Sequence, residues 1–386
     1  MSYAKLIQTF PTLDLKRIFT LSLDDDPVLS RESVRFYASG RAALFQIVKS
    51  LTLPPGSTIL LPSYHCGVEV EAVLRAGCKV EFYRVKRDLS IDLQHLCQKI
   101  TATTRGIVIA HFYGFSQKLS EIKDLCCRKG IVLIEDCAHA LYSQSQQGNW
   151  LGTEGDLGLF SMRKTVFMPN GGAVRVNRNG LALPDKGKNY FNLSLLKTTV
   201  RSVLEHQACK SGVIPDFSRW LLERHRKQSS QADGIQDLHP NQDTRWYYDV
   251  PMLAYEHDIS AVSLVCTGNE QFQTIINRRR KNYLALEKLL LPRLVDRFVF
   301  PELPKGVCPL CFPLFVNQRD RIAASLTDSG VIPFVFAKIP HPLLNEAEFP
   351  ELKTLADEII GLPIHQQLTE QDMAVVADAL YRSLER

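Results

Sequence analysis

Ile131-Val132-Leu133-Ile134-Glu135-Asp136-Cys137-Ala138-His139 is an apolar run that ends on two acids. Its four leading residues are β-branched or aliphatic, and Gly130 stands immediately before them. This is the pattern of a strand buried on both faces, as in a parallel sheet covered by helices. Working outward in both directions, the same rhythm repeats. Thr58 to Pro62 and Gly106 to His111 are further apolar strands, and Lys79 to Val85 alternates like one. Helical stretches lie between them: Gly67 to Ala76 ending at Gly77, Leu93 to Ile100, and Leu119 to Lys129 ended by Gly130. Repeated strand–helix units predict an α/β fold, a mostly parallel sheet with helices on both faces.

The rhythm breaks at about 178. Basic helical pieces are expected over 192–211 and 217–227, followed by a polar stretch over 228–242. The segment 178–250 is expected to be an excursion with a mobile loop within a large domain spanning 1–250. A long helix over about 270–290 opens a smaller α+β domain, 251–386. Strands are expected there at 309–316 and 331–336, and helices at 319–329, 352–360 and 370–384.

The 386 residues are 45% hydrophobic and 23% charged, with a net charge of +5. That is an ordinary globular composition, and the mild positive balance does not call for nucleic acid or a membrane surface. The N-terminus lacks the apolar core of a signal peptide, and no run reaches the roughly 18 apolar residues of a membrane span. The ten cysteines show no framework spacing and are expected to be reduced core thiols of a cytoplasmic protein. Cys308-Pro-Leu-Cys311 and Cys126-Cys127 fall under the same expectation, and no metal site is expected.

Asp136 ends an apolar strand, and in open α/β sheets ligands collect at the carboxyl ends of strands. Its carboxylate could pair with a pyridine nitrogen, as in pyridoxal phosphate (PLP) enzymes. It could equally cap a helix beginning at Cys137. Lys164 lies 28 residues later, in Phe160-Ser161-Met162-Arg163-Lys164-Thr165-Val166-Phe167-Met168-Pro169-Asn170-Gly171-Gly172. A Schiff-base lysine must be partly desolvated to attack, and apolar residues surround this one. Alone it would read as a surface loop lysine; its pairing with Asp136 argues for chemistry. Ser39-Gly40-Arg41-Ala42 opens a helix whose first-turn amides could hold a phosphate, with the Ser161 hydroxyl added.

Ser39-Gly-Arg-Ala-Ala43, Pro62-Ser-Tyr-His-Cys66, Ala110-His-Phe-Tyr-Gly114, Glu135 to His139, Gly152-Thr-Glu-Gly-Asp156, Phe160-Ser161 with Lys164, and Gly171-Gly172 occur in that order. Together they resemble the DegT/StrS sugar aminotransferases, PLP enzymes of fold type I. The resemblance spans about 35–177 and continues more weakly over 258–386, through Arg278 to Tyr283 and Leu362 to His365. It implies that Lys164 is the Schiff-base lysine and proton-shift acid/base, and that Asp136 pairs with the ring nitrogen. Gly40, Arg41 and Ser161 would hold the phosphate. His139 stands where the family usually has Gln, and Cys66 where it has a ring-stacking aromatic, with Tyr64 two residues earlier.

The implied activity moves an amino group from an amino acid such as glutamate to a keto group of a nucleotide sugar or similar polyol. The implied assembly is a homodimer with sites at the subunit interface. Ala254 to Asp258 replaces the Gly-x-Asn-x-Arg segment that reaches across that interface in the family. Two alternatives stand beside this: a PLP-dependent sugar dehydratase, whose relatives carry His at the lysine position, or an enzyme acting on a non-sugar ring; and a PLP-fold protein that binds without turnover. The basic run Arg278 to Lys281 could meet a diphosphate, but is expected to be a solvated helix face or a dimer salt-bridge network.

Overall fold

The apolar runs pair as their composition demands. In the computed structural model, which describes residues 6–13, 26–30, 34–181, 193–210, 217–218, 252–263 and 271–385, seven strands form one sheet. They are β1 (Val34–Tyr37), β2 (Thr58–Pro62), β3 (Lys79–Tyr83), β4 (Thr104–Ala110), β5 (Val132–Asp136), β6 (Leu157–Phe160) and β7 (Gly172–Val176). Their spatial order is β1-β7-β6-β5-β4-β2-β3. β7 pairs antiparallel with both neighbours, and the remaining ladders are parallel. Every residue of β2, β5 and β6 is buried.

Four helices cross between these strands: α1 (Gly40–Ser50), α2 (Val68–Arg75), α3 (Leu93–Lys99) and α4 (Ser120–Lys129). Ser39 caps α1 by accepting the Ala42 amide at 3.1 Å, and Asp92 caps α3 through the His95 amide. Gly130 ends α4 in the left-handed region (φ 64°), where a side chain would be strained. α5 (Leu193–Ala208) falls within the first expected basic helix. The helix expected over 217–227 lies outside the described residues except at 217–218, and the polar stretch 228–242 lies wholly outside.

After the short α6 (Leu253–Glu256), the chain runs through α7 (Phe272–Leu294), β8 (Phe312–Phe315), α8 (Arg319–Asp328), α9 (Pro350–Glu358), β9 (Ile359–Leu362) and α10 (Glu370–Glu385). β8 and β9 form a two-stranded antiparallel sheet. The apolar core is continuous from the large sheet into these elements, from Leu44 and Ile109 to Phe312 and Leu380. No described helix is long and apolar enough to cross a membrane.

Two expectations in this part are corrected. Residues 331–336 form no continuous strand; Val331 makes one bridge to Ile7 and Phe334 one to Gly361. Pro333 has no N–H to give a ladder, and the segment instead turns Phe334 and Phe336 inward. The helix expected to reach 360 stops at Glu358, where the β-branched Ile359 and Ile360 join β9.

Glu135 ties the sheet to the loop after it. Its carboxylate is fully buried and accepts from His111 Nε2 at 3.1 Å and from the amides of Gly152, Glu154 and Gly155 at 2.9, 2.7 and 2.5 Å. Burial pushes its pKa up, but the His111 contact and these amides outweigh it and hold the group below the usual carboxylate range. His111, Glu135 and Cys137 are close enough to suggest a metal site. The Glu135 oxygens are committed to these donors, however, and His111 Nδ1 accepts the Gln117 amide at 3.0 Å, so the cluster works as a structural clamp. Glu135→Ala leaves these donors unmet and is expected to cost about 3–5 kcal/mol of stability, measured by urea unfolding.

Candidate active site

Asp136 is the last residue of β5, held between Ala110 of β4 and Leu159 of β6. No helix follows it, which removes the capping alternative; a tight turn does, and Asp136 Oδ1 accepts the Ala138 amide at 2.8 Å. Burial first, then the nearby Glu69 carboxylate, raises its pKa to about 6, against the opposing pull of that amide, Lys164 and His111. The group is therefore mostly ionised at neutral pH, without a full counter-charge.

Lys164 reaches the same cleft from the end of β6. A single 3-10 turn, Met162–Lys164, follows Ser161 and aims the lysine at the carboxyl ends of the strands. Its Nζ lies 5.9 and 5.7 Å from the ring centroids of Phe334 and Phe336. Burial of the amine lowers its pKa, while Cys66, Asp136 and Glu69 pull it back up. A lysine in such surroundings spends more time as the neutral nucleophile than one in water.

His139 completes the wall. Its ring meets Phe336 edge-on at 4.6 Å, and its Nδ1 is 3.5 Å from the Tyr113 amide. Burial, then Lys164, pushes its pKa well down, so it is a neutral imidazole. Tyr64 is fully buried, and its hydroxyl is 2.7 Å from that of Tyr113. Cys66 points its thiol at the Glu69 carboxylate, 3.1 and 3.2 Å from the two oxygens. The cleft wall at this point is made by its neighbours His65 and Glu69.

The expected phosphate-holding residues are brought together by close backbone approach. A Cβ on Gly40 would stand 3.3 Å from Ser161 Cβ, and one on Gly172 would collide with the Ser39 carbonyl. The Gly171 amide donates to Ala38 O at 2.9 Å. Gly40, Ser161 and the Gly171-Gly172 turn are thus packed together at the start of α1. Arg41 lies beside it with its guanidinium 5.7 Å from the Tyr255 ring. Burial, and then Arg41, lowers the pKa of Arg163, which places a second guanidinium nearby. In the segment 254–258, Tyr255 is fully buried against Phe45, and Asp258 bridges to Tyr37.

The basic run Arg278 to Lys281 is corrected in part. Arg279 is fully buried, not solvated. It donates to Gln366 Oε1, to the carbonyls of Pro309 and Leu310, and to those of Lys164 and Thr165 at 3.3 and 3.2 Å. Arg280 donates to the carbonyls of Pro304 and Val307, and Lys281 pairs with Glu370. Sequence reasoning missed Arg279, Phe334, Phe336, Tyr113, His65 and Glu69 as parts of the site. Tyr113, His65 and Arg279 lay in stretches already singled out, Ala110 to Gly114, Pro62 to Cys66 and Arg278 to Tyr283, that could have signalled them.

The comparisons agree with this geometry. Residues 32–185 match the model of the DegT/DnrJ/EryC1/StrS aminotransferase family. The matched residues include Gly40, Asp136, Ser161 and Lys164. It is 26% identical to the dTDP-4-dehydro-2,3,6-trideoxy-D-glucose 4-aminotransferase of Saccharopolyspora spinosa, over 92% of this chain and 85% of that one. It is 25% identical to the UDP-N-acetyl-3-dehydro-alpha-D-glucosamine 3-aminotransferase of Acidithiobacillus ferrooxidans, over 90% and 83%. The PLP form of Spr1654 from Streptococcus pneumoniae superposes with a TM-score of 0.68 at 16% identity, covering 98% of this chain and 99% of that one, and shares the fold. The family makes PLP the cofactor of this chain, and the carboxylate, lysine and glycine cradle fit it.

Two outcomes follow from the site. Asp136→Asn removes an anion that keeps a proton on Lys164, so the lysine pKa should fall further below the ordinary value. The pH dependence of Lys164 modification by trinitrobenzenesulfonate reads this, and an upward shift would contradict the coupling. Arg279→Met should cost about 3–5 kcal/mol in urea unfolding, because it strips donors from buried carbonyls on both sides of the cleft.

Proposed function

We propose that this chain transfers an amino group from an amino acid, such as glutamate, to a keto group of a nucleotide sugar. The observation that carries the proposal is a desolvated lysine amine and a buried carboxylate in one cleft, beside a glycine-lined cradle. The two relatives act on nucleotide sugars at different ring positions, so the class of acceptor is proposed and the position is left open.

When bound, PLP supplies the electron sink that allows a proton to leave carbon. Asp136 would hold a proton on the ring nitrogen by offering it an anion. Lys164 Nζ would bind the aldehyde carbon covalently and, once displaced, carry the proton between carbon atoms as acid and base. The neutral His139 would lie against the ring and exclude water with Phe336. Gly40, Arg41 and Ser161 would hold the phosphate. Cys66 would touch the ring only weakly, since its thiol is engaged by Glu69. The proposal includes a homodimer, and the division into domains 1–250 and 251–386 remains part of it.

Borohydride reduction of the protein incubated with PLP, followed by peptide mapping, tests the proposal. A single adduct on Lys164, lost in Lys164→Ala, is expected. An adduct elsewhere, or none, rejects the assignment.

A further inference from the structure

His65 and Glu69 flank the turn Cys66-Gly67 that begins α2, and both line the cleft that holds Asp136 and Lys164. His65 is 2% exposed and its ring lies flat on Phe82, 5.0 Å away at 8°. Its Nδ1 is 3.0 Å from the Pro62 carbonyl oxygen. A carbonyl can only accept, so Nδ1 carries the hydrogen. Burial lowers the pKa of His65 despite the pull of Glu69, and a neutral ring with Nδ1–H has a bare acceptor at Nε2. That atom is buried and has no hydrogen-bond partner. A buried acceptor left unmet is costly, and the cost disappears when something in the cleft donates to it.

Glu69 adds a second acceptor. Its two oxygens share one thiol donor, that of Cys66, and a thiol is a weak donor. Most of the carboxylate's hydrogen-bonding capacity therefore remains for the cleft. Its charge is felt at Asp136, Lys164 and His65, which places it in the site's own field. A wall with two acceptors and a negative charge turns away carboxylates and phosphates.

We propose that His65 and Glu69 form a subsite for vicinal hydroxyl groups on the ring of the keto-sugar acceptor, one hydroxyl donating to Nε2 and the other to the carboxylate. This rests on the aminotransferase proposal. It adds a preference: an acceptor that keeps hydroxyls beside the reacting carbon binds better than a deoxygenated one. The carboxylates of the amino donor and the diphosphate of the nucleotide then bind elsewhere.

The test uses the full chain loaded with PLP and two probes, dTDP-4-dehydro-6-deoxy-D-glucose and its 2,3,6-trideoxy counterpart, with affinities measured by calorimetry. The unaltered protein should bind the hydroxylated sugar at least about tenfold more tightly, the value of one hydrogen bond to a charged group. His65→Phe, which keeps the stack on Phe82, and Glu69→Ala should each reduce that preference severalfold. Equal binding of the two sugars, binding of neither, or a preference that survives in both variants overturns the subsite. A loss of glutamate affinity in the variants, with the sugar preference intact, assigns the wall to the amino donor and also overturns it. Borohydride capture at Lys164 in the same preparations separates these outcomes from failure of the aminotransferase proposal, in which the unaltered protein forms no adduct.

Discussion

The two consecutive acids at the end of β5 carry the structure around the site. Side chains of adjacent strand residues diverge, so Glu135 and Asp136 serve different purposes from one stretch of backbone. Glu135 gathers three amides of the loop 152–155 and the His111 ring. That loop leads directly into β6, and β6 ends at Ser161 and Lys164. Asp136 faces the cleft with one amide and no full counter-charge. The position of the lysine thus depends on the clamp made by the acid that does no chemistry. Arg279 secures the other side of the lysine, by holding its carbonyl from α7.

Much of the large sheet was legible because β2, β4 and β5 are short, largely apolar runs and β3 alternates. Parallel strands covered on both faces have no polar side to confuse the pattern. β1, β6, β7 and β9, each of four or five residues, were passed over. The segment 331–336 failed in the opposite sense. Its apolar residues suit a strand, but Pro333 denies it a ladder, and the rings of Phe334 and Phe336 are used beside Lys164 instead.

Motifs in order along the chain were the legible part of the site: Asp136, His139 and Lys164 line one cleft, and Gly40 packs on Ser161. What could not be read were the residues whose meaning is set by partners far away in sequence. Arg279 sits in a run of four basic residues and looks solvated, yet it meets carbonyls 115 and 114 residues earlier. Cys66 was expected against a ring, but a carboxylate three residues on takes its thiol. His65 carries its message in a tautomer, which only the Pro62 carbonyl decides.

The charges of the cleft are incomplete in two complementary ways. Asp136 is an anion that burial and Glu69 both disfavour, so a cation placed against it would relieve the strain of desolvation. Near Gly40 and Ser161, Arg163 loses proton affinity because it is buried and close to Arg41, so an anion there would relieve the opposite strain. Lys164 shares the cleft with Asp136, its amine biased toward neutrality. A ligand that satisfies all three carries a cationic, an anionic and an electrophilic group. Pyridoxal phosphate carries all three: a protonated ring nitrogen, an aldehyde opposite it on the ring and a phosphate on the neighbouring arm. The charges of the cleft therefore suit a molecule with those three groups, and a phosphate set against Asp136 and Glu69 would be repelled.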